Sequence, residues 1–310
     1  MTEAAERFAA DLAALAPPGA RIGVAVSGGP DSLALLLLAA AARPGAIEAA
    51  TVDHRLRPGS AADAAHVAAI CAKLNIPHAT LTTRWTDPPT ANLQASAREE
   101  RYALLSEWAR ERQLTAVATA HHADDQAETL LMRLARGSGI AGLGGTRPSR
   151  PLTDSIALIR PLLTWRRAEL AEIVAQTGLT PLDDPANRDP RHDRARLRAM
   201  LADADWADPA RFAASASHLR DADEALDWMT ATLADTRLTH TADGITLDPA
   251  GLPRELQRRL LLLAFDKPPR GPDLLRAIDA LVDGRTVTLG RLKLEGGASW
   301  RMTEAPLRRR

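Results

Sequence analysis

One stretch near the N-terminus has the residue types that phosphate binding requires. Residues 21–26 (RIGVAV) are apolar and partly β-branched, which reads as a buried strand. Ser27-Gly28-Gly29-Pro30-Asp31-Ser32 follows, and residues 31–42 read as an Ala/Leu-rich helix. A Gly-rich turn between strand and helix lets backbone N–H groups point inward at an anion, and the helix N-terminus adds a partial positive charge. Ser27 and Ser32 add hydroxyl donors. Asp31 would repel phosphate unless a cation intervenes, which favours Mg²⁺ bridging Asp31 and the phosphates. The plainer alternative is a strand–helix turn capped by Asp31. The loop has neither the lysine of GxxxxGK[ST] nor the spacing of GxGxxG.

A second group of chemical residues is His121-His122-Ala123-Asp124-Asp125-Gln126-Ala127-Glu128-Thr129. On a helix starting near Ala123, Asp124 and Glu128 are four apart and Asp125 and Glu128 three apart, so they share a face. An acidic face beside a triphosphate can hold a metal or a cationic amine. Alone, the same residues also suit a solvated, dipole-favoured helix start. Val52-Asp53-His54-Arg55-Leu56-Arg57 follows another apolar run. Arg98 and Arg101, with Tyr102, lie a turn apart on a long helix. They can clamp phosphate or a nucleic-acid backbone, or pair with Glu99, Glu100 or Glu107.

The elements needed to position these groups are legible. Strands are expected at 21–26, 46–53, 79–83 and 114–120. Helices are expected at 31–42, from Ser60 as N-cap to about 74, at 92–113 and at 123–135. Strands alternating with helices imply an α/β fold with a doubly wound, mostly parallel sheet. In such a sheet ligands collect at the C-terminal strand ends, where Ser27, Asp53, His54, His121 and His122 all fall. Residues 136–151 carry five glycines and read as a flexible loop, suited to a lid or to close RNA approach. Helices at 166–176 and 194–202 follow. A smaller C-terminal α+β domain is expected at 209–310, after a catalytic domain at 1–208. It would contain a long helix from 209, helices at 254–265 and 272–282, and a hairpin over 286–303 around Gly296-Gly297.

Composition excludes several classes. The chain has 310 residues, 45% hydrophobic and 25% charged, with formal net charge zero. Nucleic-acid binding would therefore need a local basic patch. The tail supplies one candidate, with Arg291, Lys293, Arg301 and the arginines at 308–310. Trp300 there could stack on a base; the alternative is a small hairpin with a solvated charged face. The single cysteine, Cys71, excludes an internal disulfide and a multi-cysteine metal or iron–sulfur site. No apolar run is long enough to cross a bilayer and no secretory signal is evident, so a cytoplasmic protein with no membrane partner is expected. The sequence sets no oligomeric state.

SGGPDS in this setting resembles the PP-loop of the N-type ATP pyrophosphatases. That resemblance implies ATP cleaved to AMP and pyrophosphate, with adenylation of an acceptor. VDHRLR, HHADDQAET, Gly137-Ser138-Gly139-Ile140-Ala141-Gly142-Leu143 and Arg160-Pro161-Leu162-Leu163 together resemble the tRNA(Ile)-lysidine synthetase family. Asp184-Pro185-Ala186-Asn187 with Arg194, Arg196 and Arg198 extends the likeness, although Pro185-Ala186 departs from the usual residues. The likeness is strong over residues 21 to about 200 and general beyond.

The resemblance implies a carbon–nitrogen ligase. ATP adenylates the O2 oxygen of the wobble cytidine of isoleucine tRNA with a CAU anticodon, and the amine of L-lysine then displaces AMP. Ser27, Gly28, Gly29, Pro30, Asp31, Ser32, Asp53, His54, Arg98 and Arg101 would serve the nucleotide, with Asp31 also holding Mg²⁺. Asp31, His121, His122, Asp125 and Glu128 would form the catalytic group, Asp125 and Glu128 meeting lysine or metal. The C-terminal domain would bind tRNA. The alternatives are a PP-loop tRNA thiolase, a small-molecule amidating ligase, or a nucleotide-binding module without turnover.

Overall fold

The computed structural model describes residues 2–85, 93–183 and 193–305. Two compact units divide the chain at residues 219 and 220.

In the first unit, β1 (Ile22–Ala25), β2 (Ile47–Asp53), β3 (His78–Thr82), β4 (Ala116–Ala118), β5 (Ser149–Pro151) and β6 (Ala157–Ile159) make one sheet in the order β3-β2-β1-β4-β6-β5. All pairings are parallel except β5 on β6. The doubly wound sheet expected from the alternation is therefore present. Its connections run outward from β1 in one direction and from β4 in the other. The crevice where ligands gather opens beyond the C-terminal ends of β1 and β4.

Each face of β1 has its own layer. Ile22 and Val24 pack with α1 (Thr2–Ala13), α2 (Pro30–Ala42), α3 (Ser60–Lys73) and α7 (Arg167–Ala175). Ala25, Val117 and Leu158 pack with α4 (Leu93–Glu111). Gly23 is needed on the α4 face, because a Cβ there would lie 2.5 Å from the Trp108 ring. Ser60 is the first helical residue of α3, not its cap. The cap position is Gly59, at φ 93°, a left-handed turn that glycine enters without strain.

The Gly-rich stretch after α5 (Ala123–Ala135) is pinned down, contrary to the expected flexible loop. It contains a single turn, α6 (Ile140–Leu143). Arg133 donates to the carbonyls of Gly142 and Gly145. The Gln126 side chain brackets the Thr146 backbone, donating to its O at 2.9 Å and accepting from its N at 2.7 Å. Gly145 has no room for a side chain, since a Cβ would meet Gln126 Oε1 at 2.7 Å.

α8 (Asp193–Ala202) closes the first unit, and α9 (Pro209–Arg237) contains the division between units. The second unit has β7 (Leu238–Thr241), β8 (Gly244–Leu247), α10 (Arg254–Leu262), α11 (Gly271–Val282), β9 (Thr286–Leu289), β10 (Leu292–Glu295) and β11 (Trp300–Glu304). Its antiparallel sheet runs β7-β8-β11-β10-β9. Leu260, Leu261, Ile278 and Leu281 from the helices bury against Leu247, Leu294 and Met302. Trp300 belongs to this core at 1% exposure, so it is a packing residue and not a stacking platform.

Candidate active site

The loop after β1 is closed around one hydroxyl. Ser32 Oγ receives the N–H of Ser27 at 3.2 Å and of Gly28 at 3.1 Å, and donates to Gly29 O at 2.9 Å. Inward-pointing N–H groups are what an anion cradle requires. Gly28 sits at φ 88°, and a Cβ there would lie 2.4 Å from Leu182 Cδ1. Leu182 N donates to Gly28 O at 2.9 Å, so the segment before α8 lies directly on the loop. Pro30 occupies the first turn of α2, where its missing N–H costs no hydrogen bond.

β4 ends opposite this loop, and its two following histidines have opposite surroundings. His122 is 2% exposed. Its Nε2 lies 3.4 Å from Asp31 Oδ2 and 3.7 Å from Asp125 Oδ2, and its Nδ1 lies 3.5 Å from Asp124 Oδ2. Burial alone would lower its pKa. The surrounding carboxylates of Asp124, Asp31 and Asp125 instead raise it to about 10. Asp125 Oδ2 also accepts the His122 backbone N–H at 3.2 Å, and Asp124 Oδ2 accepts that of Arg167 at 2.9 Å. Asp124 is thus fixed by both His122 and the start of α7.

His121 stands in the reverse environment. Burial pushes its pKa down, and the charges of Arg160, Arg101, Arg98 and Arg194 push it further, to about 3. Thr119 Oγ1 lies 3.1 Å from its Nδ1. The imidazole is neutral at any working pH.

Glu128 is 1% exposed. Its Oε1 accepts Arg198 Nε at 2.8 Å, and its Oε2 has no hydrogen-bond partner. Burial raises the Glu128 pKa against the opposing pull of Arg198. The charges of Asp125 and Asp31 also reach Arg198. Asp31, His122, Asp124, Asp125, Glu128 and Arg198 therefore form one charged cluster beside the loop. Spacing alone points to Asp124, Asp125 and Glu128; Arg198 lies in the stretch that extends the family likeness.

Asp53 ends β2, and its Oδ1 accepts the Arg55 N–H at 2.9 Å, which fixes the turn. His54 follows on the same sheet edge, its ring stacked on Trp85 at 6.4 Å. Burial, then the charge of Arg101, lowers the His54 pKa. Among the described residues no ion pair joins Asp53 or His54 to the His122 cluster.

Arg98 and Arg101 meet none of the glutamates suggested by the sequence. Glu107 pairs with Arg84 instead, at 2.9 Å. Arg98 lies over the Tyr102 ring at 5.0 Å and Arg150 at 4.7 Å. Residues 184–192, which hold Asp184-Pro185-Ala186-Asn187, lie outside the described residues, as do the arginines at 308–310. The other basic residues of the tail are paired: Arg291 with Asp266 at 3.0 Å, Lys293 with Glu295 at 2.7 Å and Arg301 with Asp243 at 4.0 Å.

The residues around Asp31 suit Mg²⁺, which uses one or two carboxylates together with substrate phosphates. Asp31 Oδ1 is buried without a hydrogen-bond partner, an oxygen free to coordinate. Among the described residues no group of three His, Cys, Asp or Glu side chains forms a ready-made metal cage, so the phosphates would complete the coordination.

A family model described as a PP-loop domain matches residues 2–204. The switch-point crevice, the N–H cradle and this match define a PP-loop ATP-binding protein. Its relatives are more specific. The chain is 43% identical over 302 residues to the tRNA(Ile)-lysidine synthase of Zymomonas mobilis subsp. mobilis, covering 95% of this chain and 91% of the relative. It is 46% identical over 314 residues to that of Novosphingobium aromaticivorans, covering 99% and 95%. The chain belongs to the tRNA(Ile)-lysidine synthase family. Among solved structures, a U34-tRNA thiolase NcsA from Methanococcus maripaludis with its 4Fe-4S cluster shares the fold, at TM-score 0.59 and 17% identity over 70% of this chain and 76% of the other. No helix among the described residues is long and apolar enough to cross a membrane.

Proposed function

We propose that this chain joins L-lysine to the wobble cytidine of isoleucine tRNA bearing a CAU anticodon, at the crevice between β1 and β4. The observation that carries the reading is the acidic cluster of half-buried Asp125 and buried Glu128 beside an N–H cradle for phosphate. The cradle suits a triphosphate and the cluster a cation, which are the charges of ATP and of a lysine amine.

The backbone amides of Ser27 and Gly28 hold the phosphates where the Ser32 hydroxyl now sits. Mg²⁺ on Asp31, when bound, offsets the charge that develops on departing pyrophosphate. The cytidine O2 attacks the α-phosphorus and the bond to pyrophosphate breaks. The lysine amine, once it has given a proton to solvent, attacks C2, and AMP leaves with the former O2 oxygen. A bare carbonyl oxygen leaves poorly, so the adenylation step makes the second displacement feasible. His122, held as imidazolium by three aspartates, fixes Asp31 and Asp125 in place and adds positive charge near the reacting phosphate. Asp125 and Glu128 orient the amine. His121 stays neutral and donates or accepts at the sheet edge. The second unit would support tRNA binding.

A sulfur-transfer reading is weaker. The only cysteine, Cys71, is buried, and burial raises its thiol to about 11.

The test combines purified protein, ATP, radiolabelled lysine and CAU-anticodon tRNA transcripts. Lysine incorporation with stoichiometric AMP release is expected. ATP–pyrophosphate exchange that proceeds equally without tRNA would favour a small-molecule ligase instead.

A further inference from the structure

We propose that Arg98, Arg101, Arg150 and Arg160, gathered around Tyr102, form a second anion site that takes successive phosphodiesters of an RNA strand. The inference rests on the reading above, in which ATP and tRNA are both substrates.

Four guanidiniums from three elements converge here. Arg98 and Arg101 come from α4, Arg150 from β5, and Arg160 from the residue after β6. Arg98 and Arg150 lie over the Tyr102 ring at 5.0 and 4.7 Å. Arg160 is 3% exposed. One Nη donates to Arg147 O at 2.6 Å, while its Nε is buried without a partner. Among the described residues no ion pair joins any of the four to a carboxylate; the charges acting on Arg101 and Arg160 come from Tyr102 and the other arginines.

Like charges are not brought together without recompense, and buried cations are normally paired. A bound anion is the missing partner. Burial would raise the Tyr102 pKa, but the neighbouring Arg98, Arg101, Arg160 and Arg150 pull it down. The neutral state of His121 reports the same positive potential.

Two features favour RNA over the triphosphate. The loop after β1 already offers backbone N–H groups to a triphosphate, beside the carboxylates of the His122 cluster. The arginine group instead acts on His121, and its two α4 members belong to a helix that packs in a different core layer from α2, the helix of Asp31. Four planar, donor-rich cations suit several phosphates of a bent strand, and guanidinium forks match phosphate oxygens. A strand held there runs past His121, one residue from the cluster where the cytidine must react.

The test uses Arg98→Ala and Arg150→Ala, which spare the buried Arg160, with the CAU-anticodon transcript and ATP as separate probes. Each variant is expected to weaken transcript binding about tenfold at low salt and to reduce the salt slope of log K by roughly 0.7–0.9. For Arg150→Ala, ATP binding without RNA should stay within about twofold of the unaltered protein. A loss confined to ATP affinity would assign the arginines to the nucleotide and overturn the proposal. Unchanged affinity for both probes, in both variants, would overturn it too. A failure of the unaltered chain to bind the transcript would instead refute the underlying tRNA reading.

Discussion

Arg198 Nε donates to Glu128 Oε1 at 2.8 Å, joining α8 to α5 across 70 residues of chain. This contact holds a carboxylate that is almost wholly buried, beside two aspartates of the same charge. Arg198→Ala leaves Glu128 without its cation. Removing one partner of a fully buried pair costs about 3–5 kcal/mol. The Arg198 side chain is 31% exposed, so a loss of about 2 kcal/mol is expected by urea unfolding. Adding Glu128→Gln should recover part of it. Equal losses for the single and double variants would show that the pair contributes nothing.

Gly28 and Gly29 should differ. Gly28 has φ 88°, and a Cβ there would stand 2.4 Å from Leu182 Cδ1, whereas the nearest atom to a Cβ at Gly29 would be 3.9 Å away. Gly28→Ala is expected to lower stability by about 1–2 kcal/mol from the left-handed backbone alone, and to cut ATP-dependent pyrophosphate release at least tenfold. Gly29→Ala should fold with near-normal stability. Pairing Gly28→Ala with Leu182→Ala should relieve the clash but not the backbone strain. Normal pyrophosphate release by Gly28→Ala would remove the cradle from the reaction.

His121 predicts an acid sensitivity. Its pKa is 6.5 when unfolded and about 3 when folded. Below pH 6.5 the unfolded chain takes up a proton that the folded chain refuses. Stability therefore falls as pH drops from about 6.5 toward 3, at up to roughly 1 kcal/mol per pH unit from this group. His121→Gln should flatten that part of the profile. Denaturant midpoints at pH 7.5 and 5.5 give the comparison, and identical slopes for the two proteins would refute it.

In the second unit, Arg259 is 7% exposed and ties α10 to α9 through Asp223 at 2.5 Å and Asp227, while Glu255 of its own helix accepts at 2.8 Å. Arg259→Ala is expected to cost about 3–5 kcal/mol. Arg259→Lys should restore little, because one ammonium cannot serve three carboxylates from a fixed fork. Thermal unfolding of both variants tests this; a lysine variant as stable as the parent would refute the geometric argument.

Much of the first unit is legible in the sequence because its strands are buried on both faces and its helices are long. The runs at 21–26 and 46–53 stand out as mostly apolar segments, and SGGPDS marks the junction between strand and helix. β6 escapes because Ala157–Ile159 is three residues, too short to carry a period. The β7–β8 hairpin has a usable signal in Asp243-Gly244, with Thr and His alternating before it. The tail reads as one hairpin, but Gly290 turns a further strand, β9, onto it. Trp300 cannot be placed from local sequence, since its burial depends on α10 and α11. The active-site carboxylates are visible from helical spacing. Arg150, Arg160 and Arg198 are not, because their partners lie on distant elements and only the fold brings them together.

The Ser32 hydroxyl at the mouth of the first loop has a thermodynamic consequence. It keeps the amides of Ser27 and Gly28 turned inward without a nucleotide. An arriving phosphate oxygen replaces one acceptor with another, and the backbone need not reorganise. Little ordering entropy is then subtracted from nucleotide affinity, and the discrimination between nucleotides rests with the walls of the crevice.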